Sequence, residues 1–171
     1  MDEEKISLKT KLAIVSAGMI SFMWILVEAS LNVTMNTLSN QFSVSVGTVQ
    51  WITTAYLLLV TIMMAAMAFI MRRFKFRSIF IFSAAAFIVG SIVCAIADTF
   101  WILLIGRMIQ AIATGLATPL MFQIINVKIP SQHVGTYNGV ASMLTSLSPA
   151  LGPTYGGILN TLMNWRWIFW V

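Results

Sequence analysis

Charge is scarce in this chain: Asp, Glu, Lys and Arg make up 9% of 171 residues, against 59% hydrophobic residues. No soluble domain of this size needs so much apolar surface, and a mean hydropathy of +0.91 points to a lipid environment. Cysteine is nearly absent. Cys94 alone excludes an intrachain disulfide and, lying in an apolar run, reads as a packed thiol. Histidine is equally rare, and His133 falls in a polar connection. With no metal-ligand cluster, phosphate loop or nucleophile motif around it, neither an enzyme nor a bound metal or cofactor is expected. The formal net charge of +5 implies no nucleic-acid partner, because the basic residues sit in short gaps between apolar runs, as orientation signals do.

What the chain has is apolar segments long enough to cross a bilayer core about 30 Å thick. Five qualify, giving an all-α integral membrane bundle: residues 12–36, 49–71, 79–97, 101–125 and 134–163. Pro149 and Pro153 favour a kinked or tilted fifth span. Residues 164–171 read as the start of a sixth helix. The three lysines before the first span resemble the opening of a signal peptide, but Glu28 is a poor residue near a cleavage site and four spans follow, so the first span is expected to be retained.

Lys5, Lys9 and Lys11, the cluster Arg72, Arg73, Lys75 and Arg77, and Lys128 all fall on one side of these spans, and only Arg166 on the other. The positive-inside rule then makes residues 1–11 a cytoplasmic N-terminus. Trp51, Trp101, Trp165 and Trp167 fall at the opposite ends, where indoles collect at the interface.

Two charges stand inside apolar stretches, Glu28 in the first span and Arg107 in the fourth. Charge at the centre of a membrane helix costs about 2.5 to 3.5 kcal/mol on insertion scales and needs a partner or water. Ser21, Glu28, Asn32 and Asn36 share one helical face, and Arg107, Gln110, Thr114 and Thr118 another. Each stripe fits a wet cavity, although Asn32 and Asn36 fit helix-to-helix bonding equally well. At 1.5 Å per residue, Arg107 lies about 9 Å in from Trp101 and Glu28 about 12 Å in from Asn36, so the two share a level. In the fifth span Ser148, Gly152 and Gly156 recur every four residues, with Pro149, Pro153 and Gly157 interleaved, which builds one face for close packing.

The run LGPTYGGIL at 151–159 resembles the antiporter motif of major facilitator superfamily exporters, and GRMIQAIATGLATPL at 106–120 resembles their fourth-helix motif with its intramembrane arginine. VEASLNVTMNTL and VQWITTAYLLL are similar to versions found in Gram-positive members, and the tryptophan-rich segment at 164–169 is similar to one that often follows the fifth helix. The resemblance extends from Leu12 to Val171 and is closest to the drug:proton antiporter-2 family of fourteen-helix exporters. Three positions depart from the pattern. In AFIMRRFKFRS, Ala68 and Arg72 stand where the family has glycine and aspartate, and Ala111 stands where it has glycine.

The resemblance implies the N-terminal part of a proton-coupled multidrug efflux transporter in the cell membrane, driven by a proton gradient. It makes Glu28 and Arg107 the proton-coupling residues, with Asn32, Asn36, Gln110 and Thr114 lining a path for small apolar or cationic drug-like substrates. Pro149, Gly152, Pro153, Gly156 and Gly157 would shape the contact with a C-terminal half. Twelve methionines fit an adaptable lining for varied substrates, or lipid-facing and packed positions. A facilitator has two six-helix halves with its substrate site between them, so a chain of this length is expected to be incomplete for transport. The alternative is a short, non-transporting membrane protein assembling with an oligomeric partner through the Gly152/Gly156 face.

Overall fold

A computed structural model describes the backbone of residues 8–170, and their side chains except at residues 8–11 and 13. Lys5 and the side chains of Lys9 and Lys11, on which part of the expected orientation rests, therefore lie outside what is described. Among the described residues the chain is all-α. Helix is the answer physics demands of these runs, since lipid offers no partner for backbone polar groups and a helix satisfies them within the segment.

The elements are α1 (Leu8–Val33), α2 (Met35–Phe42), α3 (Val46–Arg73), α4 (Phe76–Ala95), α5 (Phe100–Lys128) and α6 (Ser131–Leu162), followed by a 3₁₀ turn at Trp165–Phe169. Four of them, from Ile14–Val33 through Phe100–Lys128, are long and apolar enough to cross a membrane. α6 has the length, 32 residues, but its serines, threonines and glycines dilute the hydropathy.

The expected first span, 12–36, is not one helix. Thr34 breaks it: its N–H and its Oγ1 both bond Leu31 O, at 3.0 and 2.9 Å, so a side chain competes with the helical ladder. The chain restarts as α2, which stops at Ser43 in the left-handed region with φ 51°. Ser45 then caps α3 by accepting from the Thr48 N–H at 3.1 Å. Residues 165–169 form a 3₁₀ turn. Trp165, Ile168 and Phe169 are buried against Val27, Leu38, Ile52, Ala97 and Leu103.

α5 is the central helix, packed on α4, α3 and α1, while α1 packs along α6. Glycines allow the closest approaches. A Cβ at Gly106 of α5 would lie 2.6 Å from Cys94 Sγ, and one at Gly90 of α4 would lie 2.9 Å from Gly106 O. Without a hydrophobic drive between helices in lipid, such small-residue contact is what holds them. α6 runs unbroken through Pro149 and Pro153.

Gly152 and Gly156 meet α1. A Cβ at Gly156 would fall 2.5 Å from Ser30 O, and one at Gly152 3.1 Å from the Ala29 backbone. The Ser30 hydroxyl lies 2.6 Å from Leu26 O and 3.0 Å from Gly152 O, bridging the two helices. This corrects two expectations. The Gly152/Gly156 face is occupied within the chain, so it serves neither an oligomeric partner nor an opposing half. A methyl group at Gly157 would have nothing within 4 Å of it, and Pro149 and Pro153 are exposed, so these three form the free side of the motif.

Candidate functional site

Arg107 enters the bundle interior from α5 with 1% of its side chain exposed. Its Nη2 pairs with Glu28 Oε2 of α1. Its Nη1 donates to Gln110 Oε1 at 3.0 Å, one turn along α5. Its guanidinium carbon lies 3.9 Å from the Tyr56 ring centroid of α3, in cation–π contact. The fixed fork of arginine suits such a site, meeting a carboxylate, an amide and an aromatic face together.

The network continues outward from Gln110. Its Nε2 donates to Ser91 Oγ of α4 at 2.9 Å, and the Cys94 thiol lies 3.9 Å from its Oε1. The Thr114 hydroxyl approaches Gln110 O at 3.1 Å and the Tyr56 hydroxyl at 2.8 Å. Side chains from four helices therefore join one network around Arg107. Arg107 Nε stays buried without a partner.

The members are unequal in access. Glu28 keeps 16% of its side chain exposed against 1% for Arg107, so the carboxylate is the end of the pair that protons or water reach first. Apart from Glu28, the only acid among the described residues is Asp98, which pairs with Arg166 at 3.2 Å. No group of three or more His, Cys, Asp or Glu able to hold a metal occurs among the described residues.

Several expected site residues take other places. Gln110 is 0% exposed and Thr114 6%; both support Arg107 instead of lining a path. Asn32 is exposed on α1, and Asn36 is exposed on α2, past the Thr34 break and off the α1 face. Ser21, on the expected wet stripe, is fully buried. Trp165 is buried too, its Nε1 donating to Gln41 Oε1 at 2.5 Å, so it packs rather than joining an interfacial belt.

Tyr56 and Ser91 went unrecognised in the sequence, and Cys94 read as a plain core thiol. Only Tyr56 carried a usable signal: it lies about three turns inside α3, away from the interface where membrane tyrosines gather.

Comparison with known proteins agrees with this architecture. The Major Facilitator Superfamily profile matches residues 13–171. The lincomycin resistance protein LmrB of Bacillus subtilis is 34% identical over 157 residues, covering 92% of this chain and 33% of that protein. The uncharacterized MFS-type transporter YhcA of the same organism is 36% identical over 159 residues, 93% of this chain and 30% of YhcA. A multidrug resistance protein B homolog of Mycobacterium tuberculosis is 31% identical over 140 residues, 82% of this chain and 26% of the homolog. The chain thus spans between about a quarter and a third of the length of these relatives. Its apolar helices make it a multi-pass membrane protein, and the chain belongs to the major facilitator superfamily.

Proposed function

We propose that this chain forms the N-terminal portion of a proton-coupled multidrug exporter, with Glu28 as the group that takes up and releases the proton. The observation that carries the reading is the Glu28–Arg107 pair, a carboxylate with partial access bound to a guanidinium with almost none. Names of relatives such as the multidrug resistance protein B homolog support drug-like substrates, and small apolar or cationic molecules are the class we propose.

The chemistry follows from charge. With Glu28 ionised the pair is neutral. A proton added to its carboxylate removes the ionic partner, leaving Arg107 held by Gln110 and Tyr56. A cationic substrate competes with that proton for one negative site, which is the requirement for exchange. In this reading Asn32 and Asn36, both exposed, contact substrate. Pro149, Pro153 and Gly157 meet an opposing half, because facilitator substrate sites lie between two halves. By the positive-inside rule, the Arg72–Arg77 turn and Lys128 face the cytoplasm, as does the N-terminus.

The test is drug-induced proton release in weakly buffered detergent, using a two-half transporter whose N-terminal portion is this chain. Glu28→Gln abolishes the release, and Arg107→Ala shifts its pH dependence. Normal release from Glu28→Gln makes the carboxylate structural and moves coupling elsewhere. This chain by itself is expected to export no dye from proteoliposomes under a proton gradient.

A further inference from the structure

α3 and α4 are joined by a two-residue turn, yet each packs on α5 far more than on the other. Between them opens a groove of about 530 Å³. Its walls are Ile70 of α3 with Ile79 and Phe82 of α4, its floor is Leu116 of α5, and Phe74 and Ser78 stand at its mouth beside the turn. It reaches inward to Met63. From Phe74 to Met63 the helix rises about 16 Å, half of a hydrocarbon core about 30 Å thick. The groove is one leaflet deep and apolar apart from Ser78 at its mouth.

The turn that carries Phe74 and Ser78 also carries cations. Arg72, Arg73, Lys75 and Arg77 are all exposed. Among the described residues the two carboxylates are engaged elsewhere, Glu28 with Arg107 and Asp98 with Arg166. Arg73 lies over the Phe69 ring at 5.6 Å, which leans its charge toward the lipid-facing side of α3. An apolar slot of leaflet depth, opening beside four cations that have no carboxylate partner among the described residues, is complementary to a molecule with a long alkyl chain and an anionic head.

We infer that this groove is a binding site for an anionic glycerophospholipid, one acyl chain lying between α3 and α4 and the phosphate held by the Arg72–Arg77 turn. Phosphate recognition by arginine and lysine supplies the preference for charge. The groove supplies residence, because a lipid seated there exchanges more slowly than one at an open helix face.

The experiment is native mass spectrometry of the purified 171-residue chain, released from detergent in the presence of phosphatidylglycerol or phosphatidylcholine, with helical circular dichroism as the fold control. The wild-type chain retains phosphatidylglycerol over phosphatidylcholine by about tenfold, the scale expected when one or two basic residues bear on the phosphate. The triple variant Arg72→Gln, Arg73→Gln, Arg77→Gln loses that preference but still retains some lipid of either kind. Ser78→Trp, which blocks the mouth, lowers retention of both. Glycerol phosphate, a headgroup without a chain, does not displace the bound lipid. Equal retention of the two lipids by the wild type, an unchanged preference in the triple variant, unchanged retention in Ser78→Trp or displacement by glycerol phosphate overturns the assignment.

Discussion

The Tyr56 ring of α3 covers the Arg107 guanidinium of α5 at 3.9 Å, and the same residue's hydroxyl reaches Thr114 at 2.8 Å. One side chain thus holds the charge with its face and the supporting helix with its edge. The two functions separate by substitution. Tyr56→Phe keeps the ring and loses the hydrogen bond, a cost of about 0.5 to 1.5 kcal/mol. Tyr56→Leu also loses the cation–π contact, about 2 kcal/mol more for a desolvated pair. Unfolding midpoints in detergent check the ranking; equal midpoints for the two variants would mean the ring contributes nothing to holding Arg107.

Glu28 and Arg107 are expected to be strongly non-additive. Truncating either partner of a buried pair leaves the other uncompensated, which costs about 3 to 5 kcal/mol. Glu28→Gln with Arg107→Gln removes both charges and is predicted to be more stable than Arg107→Gln alone, where Glu28 keeps its charge without a counterion. A double-mutant cycle measured by urea or thermal unfolding reads the coupling. A coupling energy near zero is incompatible with the ion pair.

Neighbouring glycines of α6 should respond oppositely. Gly156→Ala drives a methyl into Ser30 of α1, and overpacking of this kind costs about 1 to 3 kcal/mol. Gly157→Ala meets open space and gains about 0.5 to 1 kcal/mol, because alanine has less backbone freedom to lose in a helix. Thermal stability of the two single variants decides the matter. Gly157→Ala as harmful as Gly156→Ala would show that the packed face has been assigned to the wrong side.

Orientation is open to chemical labelling. In a Cys94→Ser background, cysteines at Val46 and Arg77 lie at exposed positions at opposite ends of the bundle. With an impermeant thiol reagent on intact cells, Val46→Cys is expected to label and Arg77→Cys to label only after permeabilisation. Labelling of both from outside would falsify the proposed topology.

Glu28 and Arg107 were legible in the sequence because charge in an apolar run is expensive enough to stand out. Gln110 followed from its spacing to Arg107 on α5. Ser91 and Cys94 were not legible: each offers one small polar atom, and an apolar helix gives no sign of which face is inward. The Thr34 break escaped notice for a related reason. Threonine is compatible with a membrane helix, and only the geometry shows its hydroxyl turning back to Leu31 O. Gly152 and Gly156 announced a packing face through their interval, but spacing on one helix does not say which helix meets it. That α1 meets it depends on the path of the whole chain.

At the end of the bundle away from the Arg72–Arg77 turn, Trp165 is tied to Gln41, and Arg166 donates to Ala97 O at 2.8 Å and to Asp98. Asn160 adds a bond to Thr37 at 3.0 Å. These stitches fasten α2, the α4–α5 corner and the last turn into a single clasp. The clasp ties the helices together by side-chain bonds at one rim, whereas at the opposite rim α3 and α4 are joined by two residues and lean on α5 rather than on each other.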